Sequence, residues 1–170
     1  SGMTSTLLLD GDVLVAGGIT GSKTLKSAEI LDPTTHNFIP ISDMNEGRNQ
    51  HSATLLNSGK VLIAAGSTDF VFLASAEIFD PANNSFTPVP QNSDQMVLQH
   101  ARKSQTDTRL LDGTVLLTGG KSDNGDLATC EIYDPLSNTF LSNGLTLMND
   151  GRSLHTATLL PGGQVLVAAG

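Results

Sequence analysis

Tryptophan is absent from this 170-residue chain, tyrosine occurs once and aromatic residues total 4%. The core must therefore be built from Leu, Val, Ile and Ala, and a hydrophobic content of 38% supplies enough of them for one ordinary domain. Cysteine is nearly absent too. Cys130 stands alone, so no internal disulfide can form and no zinc-ligand spacing exists. Basic residues are few: nine Lys and Arg against seventeen Asp and Glu leave a net charge of −8. They are scattered, which excludes nucleic acid as a partner and disfavours an anionic membrane surface. No apolar run approaches the ~20 residues of a membrane span, and no stretch has the pattern of a signal peptide.

What the chain does have is repetition. Residues 51–66, HSATLLNSGKVLIAAG, return almost unchanged as 155–170, HTATLLPGGQVLVAAG, with weaker copies at 3–18 and 105–120. Four copies make this a repeat protein. Each copy reads as two strands, a and b. Strand a is short and β-prone. Strand b is a near-continuous apolar run, as expected of a strand covered on both faces. The glycine between them (Gly11, Gly59, Gly113, Gly163) suits a tight hairpin. A second unit follows the first three copies, at 27–38, 75–86 and 129–140. It too reads as a hairpin, strands c and d, turned by Asp-Pro at Asp32-Pro33 and its equivalents.

The spacings are regular. The last glycine of strand b lies 11 residues before the strand-c glutamate in every repeat, and that glutamate lies 9 before the phenylalanine of strand d. Arg48, Arg102 and Arg152 each precede the next hairpin glycine by 11 residues. Only the step from phenylalanine to arginine varies, at 10, 16 and 12 residues. All length variation thus falls in the d-to-a link. Repeats of ~50 residues with four antiparallel strands are the signature of propeller blades. The expected blades are residues 3–41, 51–90 and 104–143, with an inner half blade at 154–170.

With these motifs the chain resembles kelch-repeat β-propellers, especially the bacterial branch similar to the propeller domain of galactose oxidase. The resemblance rests on Gly17-Gly18 and Gly119-Gly120, on Tyr133-Asp134-Pro135, on the aromatic that opens strand d, and on the links Met44…Arg48…His51 and Met148…Arg152…His155. It covers essentially the whole chain. There are departures. Phe38, Phe86 and Phe140 stand where the family usually has Trp. Ala65-Gly66 and Ala169-Gly170 replace glycine pairs, Leu31 and Phe79 replace the Tyr, and Leu98…Arg102…Gln105 lacks the Met and the His. The implied fold is an all-β, kelch-type β-propeller segment of about 3.5 four-stranded blades, its ring completed by another chain or by further blades. Kelch rings usually have six or seven blades, or ~300–350 residues. Among these relatives galactose oxidase holds copper through a Tyr joined to a Cys. Tyr133 and Cys130 are neighbours here, but the second Tyr and the paired His ligands are missing, so no oxidase and no cofactor is expected.

Glu29, Glu77 and Glu131 sit inside strand c, where an unpaired carboxylate costs several kcal/mol. The equally regular Arg48, Arg102 and Arg152 are their expected partners, in structural ion pairs that tie blades together. One acid per blade is the pattern of a structural element; a catalytic site breaks symmetry, and no enzyme is expected. His51 and His155 open strand a in different blades and read as structural, bonded to loop backbone. No metal is expected of them, because the repeat keeps them apart. His36 and His100 have no repeat equivalent and are expected to face solvent. Residues 123–126, DNGD, lack the pattern of a calcium loop.

Strand alternation places the b–c and d–a loops on one face. The b–c loops have equal length but different content, and variable loops on a rigid frame are where recognition resides. The candidates for binding are Phe70, Val71 and Phe72 in the second b–c loop, and Met96 and Leu98 in the long link. The expected function is a non-catalytic binding scaffold that holds a protein or a glycan on this face. The alternatives are a scaffold part of a secreted enzyme resembling galactose oxidase, and an architectural unit that self-assembles. Self-association into a homodimer or larger oligomer is expected, because an arc of blades leaves an open strand edge. An extracellular or cell-surface bacterial setting is favoured.

Overall fold

The computed structural model describes residues 1–90, 97–141 and 146–170. Blade one begins with the hairpin β1 (Thr4–Leu7) and β2 (Val13–Ala16). A small hairpin follows, β3 (Ile19–Thr20) and β4 (Lys23–Thr24), and then β5 (Ala28–Asp32) and β6 (Asn37–Pro40). Strands β1, β2, β5 and β6 form one antiparallel sheet in that order. Blade two repeats this with β7 (Ser52–Leu55), β8 (Val61–Ala64), β9 (Ala76–Asp80) and β10 (Ser85–Pro88). Blade three contains β11 (Thr106–Arg109), β12 (Val115–Thr118), the small hairpin β13 (Lys121–Ser122) and β14 (Gly125–Asp126), then β15 (Thr129–Asp134), β16 (Thr139–Phe140) and β17 (Thr146–Leu147). The last pair is β18 (Thr156–Leu159) with β19 (Val165–Ala168).

The register is the same in each blade. The strand-c glutamate lies opposite the third residue of strand b: Glu29 opposite Val15, Glu77 opposite Ile63 and Glu131 opposite Leu117. The a–b hairpin glycines take positive φ, between 83° and 98°, which a side chain would strain. At the c–d turn the aspartate carboxylate accepts backbone N–H groups, as Asp32 does from Thr34 at 2.7 Å.

The core lies between the blades. Leu14, Ile30 and Met44 pack against Val61, Ile63 and Phe79 across the first junction. Leu62, Ala65 and Leu98 pack against Val115, Leu117 and Tyr133 across the second. All four residues of β8 are fully buried, because blade two is covered on both faces. The inner strands stand side by side, β1 against β7, β7 against β11 and β11 against β18. A backbone ladder joins them at their start. Gln50 N donates to Gly2 O (2.8 Å), Ser104 N to Gln50 O (2.9 Å) and Leu154 N to Ser104 O (3.0 Å).

Two features differ from the sequence reading. The b–c connections of blades one and three are not plain loops, since each folds into its own two-residue hairpin. In blade three two short segments, β16 and β17, both pair with β15, and Thr129 lies opposite Leu147. At six residues β15 is longer than β5 or β9, so it offers more edge to pair.

Candidate functional site

The recurring arginines and glutamates meet with a fixed offset, from a link into the blade that follows it. Arg48 Nη2 lies 2.8 Å from Glu77 Oε1, and its Nη1 donates to the Ala65 carbonyl at 2.8 Å. Arg102 pairs with Glu131 in the same way, and its Nη1 donates to the Gly119 carbonyl at 2.8 Å. Both guanidinium groups are fully buried. Each glutamate is also held by link backbone. Asn45 N (2.8 Å) and Glu46 N (3.1 Å) donate to Glu77, and Gln99 N (2.8 Å) and His100 N (3.3 Å) to Glu131. On its other side the first link is bonded to blade one, through Arg48 N to Leu25 O and Gly18 N to Arg48 O. The carboxylate thus closes a clamp between consecutive blades. Burial pushes the Glu77 carboxyl up, but the Asn45 amide and the Arg48 guanidinium outweigh it and hold it below the usual range.

Glu29 and Arg152 are not clamped. Among the described residues neither meets an opposite charge. The offset explains this. Glu29 would take its arginine from a link ahead of β1, and Arg152 would take its glutamate from a strand beside β19. Arg152 is nonetheless oriented like the others, with Nη1 donating to Ala169 O at 2.9 Å.

The residues that open strand a reach back to side chains of the preceding blade. His51 Nε2 lies 2.8 Å from Thr4 Oγ1, and His155 Nε2 lies 2.9 Å from Thr106 Oγ1. Gln105 does the same with an amide, its Nε2 donating to Ser52 Oγ at 2.9 Å. Burial, with Arg48 nearby, lowers the His51 pKa to about 3, so the ring is neutral. His100 does not simply face solvent, because its Nδ1 lies 4.0 Å from Glu131.

Sequence reasoning missed Asp107, on β11. Both of its carboxylate oxygens are sequestered and have no hydrogen-bond partner among the described residues. Burial lifts its pKa to about 7, against the opposing pull of Ser52 and Arg102. Aligning the repeats gives the signal that could have found it, since Ser5, Ala53 and Ala157 occupy the equivalent positions.

The b–c hairpins and the links share one face, bonded to each other as described. A cleft of about 570 Å³ opens there between blades one and two, lined by Lys23, Leu25, Lys26, Asp43, Asp69 and Phe70. Its two walls are tied together: Thr24 N donates to Asp69 Oδ1 at 2.6 Å, and the Thr24 hydroxyl bonds the same oxygen. Phe70 is 93% exposed and Val71 56%. Both sit in a turn organised by Thr68 Oγ1, which accepts from Phe70 N (3.2 Å) and Val71 N (3.1 Å). Phe72 turns away and lies under Lys103, with Nζ 5.0 Å from the ring centre. Leu98 is not available for binding. It is fully buried in the second core, where its apolar side chain fills the junction between blades. Met96 lies outside the described residues.

Tyr133 is buried and donates to Asn138 Oδ1 at 2.7 Å, and burial pushes its pKa to about 12. Cys130 is a buried free thiol whose pKa burial also raises. Among the described residues no three His, Cys, Asp or Glu side chains gather as a metal site would require.

Sheets of four antiparallel strands, inner strands side by side and a clamp at the first two junctions define a β-propeller. The family description for the kelch motif matches residues 2–45. The solved structure of YjhT superposes with a TM-score of 0.82 at 16% identity, covering 99% of this chain and 58% of that one. No curated protein matches the chain in sequence. The chain has a β-propeller fold, carries a kelch motif over residues 2–45, and spans 58% of the length of the YjhT chain, an incomplete ring.

Proposed function

We propose that this chain is a non-catalytic binding scaffold and that it recognises a protein partner through the cleft between the first two b–c connections. The observation that carries this reading is Phe70, an almost fully exposed aromatic on a turn pinned by Thr68, beside a cleft whose walls Asp69 and Thr24 lock together. A large apolar ring held in water by a preorganised loop is the usual anchor of a protein contact. Glu77 and Glu131 support the non-catalytic reading, because both are held in clamps. A glycan is the other ligand the face would suit. The test is selection of binding peptides from a displayed library against the whole chain, followed by measurement on Phe70→Ser. Selected peptides should lose at least about tenfold in affinity, the scale of a hot-spot residue. Peptides indifferent to Phe70→Ser would place recognition elsewhere, and a glycan array probed with the same two proteins distinguishes the glycan reading.

Self-association is a second reading, favoured by β19. Among the described residues this strand pairs only with β18, and its Leu166 is 55% exposed. Light scattering over a range of concentrations tests it. A concentration-independent dimer supports the reading and a monomer at all concentrations rejects it.

A further inference from the structure

The four copies of the strand-b end are not equivalent. Residues 17, 65, 119 and 169 all take left-handed backbone, with φ of 64°, 59°, 60° and 63°, yet they alternate as Gly17, Ala65, Gly119 and Ala169. A methyl group on Gly17 would collide with the Arg48 carbonyl oxygen and come within 2.9 Å of His51 Cε1 and 3.1 Å of Met44 Cε. A methyl on Gly119 would meet the Arg152 carbonyl, His155 Cε1 at 2.9 Å and Met148 Cε at 3.1 Å. The junction between blades two and three lacks both of those side chains. There Ala65 faces a link with Leu98 in place of Met and an opening residue Gln105 in place of His. Its methyl is fully buried in one cluster with Leu98. Gln105 still reaches back, to Ser52 Oγ at 2.9 Å and to Ala64 O at 3.1 Å.

We infer that blade junctions in this chain are of two kinds, Gly–Met–His and Ala–Leu–Gln, which alternate and decide which blade can pack after which. The physical basis is mutual exclusion. Together with the carbonyl of the link arginine, the imidazole and the long thioether fill the space a methyl needs, and removing the methyl from the second kind leaves a gap that only the larger pair fills. An alanine in the left-handed region is itself unfavourable by roughly 1 kcal/mol, so it persists only where the buried methyl returns the cost. Ala169 makes the surface beyond β19 one of the second kind. The blade that fits there opens strand a with an amide side chain like Gln105 and carries Leu in its link. A blade that opens with His does not fit it.

The test compares single substitutions with whole transplants in the full chain, read by thermal unfolding. Gly17→Ala alone should lower Tm by roughly 5–10 °C. Adding Met44→Leu and His51→Gln, which turns the first junction into the second kind, should recover at least half of that loss. In the other direction Gln105→His alone should lower Tm, and adding Ala65→Gly and Leu98→Met should restore it. A chain with three substitutions that is more stable than the chain with one is the expected result at each junction. Should Gly17→Ala yield no folded protein, a folded triple variant supports the inference equally, and the Gln105→His pair decides independently. Triple variants no more stable than their singles at both junctions would overturn it, because the three positions would then act independently.

Discussion

Blade one and blade two have the same four strands in the same register, but only blade two is clamped. Glu77 accepts Arg48 and two link N–H groups in a site closed to water, whereas Glu29, at the same register position, is half-buried and meets no arginine among the described residues. Strand pairing alone therefore builds a blade. The carboxylate is needed for the joint, because it gathers the orphan donors of the link into one buried site that ties the link to the next blade. A buried ion pair is weak evidence of net stability, yet removing one partner is severe because the other is left charged in the interior.

Breaking the clamp from the arginine side should have the largest effect. Arg48→Met leaves Glu77 buried without its counter-charge and should cost about 3–5 kcal/mol in urea unfolding. The second effect has the opposite sign. Asp107 is the buried carboxylate that no clamp serves, with a pKa of about 7 against an ordinary ~3.9. The folded state holds its proton up to about pH 7 while the unfolded state releases it near pH 4. Stability is therefore lost as pH rises between those values and stays reduced above them. Asp107→Asn should raise stability by ~2–4 kcal/mol at pH 8 and by little at pH 4. A flat response at pH 8 would mean that the carboxylate finds a partner in solution.

His51 titrates in the other direction. Its folded pKa of about 3 lies below the ordinary ~6.5, so the neutral ring's contribution is full above about pH 6.5 and is lost as pH falls towards 3. Between pH 7 and pH 5 the native chain should lose about 2 kcal/mol more than His51→Gln. The first junction thus weakens as pH falls below about 6.5 and the second as pH rises from about 4 to about 7, a contrast that unfolding at several pH values resolves directly.

Much of this arrangement is legible in the sequence, and what is not has a physical reason. The four-strand blades follow from repeat period, Asp-Pro turns and hairpin glycines, all of which are local chemistry. Arg48 and Glu77 announce themselves as partners by recurring together, but their offset does not, since it depends on how the link folds back over the next blade. The backbone half of the clamp, Asn45 and Glu46, is invisible because N–H groups carry no sequence. Phe70 stands out as an aromatic in a chain poor in aromatics, and it is the most exposed of the candidates among the described residues; Leu98, equally apolar, is buried because its link crosses a junction. Sequence cannot separate those two, since both sit in variable connections.

The most direct test is to make the same substitution in the two blades, Glu29→Gln and Glu77→Gln, and to measure urea unfolding of each at neutral pH. If the clamp holds the blades together, Glu77→Gln loses about 3 kcal/mol because buried Arg48 is left with only the half-exposed Glu46, at 3.5 Å, as counter-charge, while Glu29→Gln stays within about 0.5 kcal/mol of the parent. Equal losses at the two positions would contradict the account, because strand position and not the clamp would then set the worth of the carboxylate.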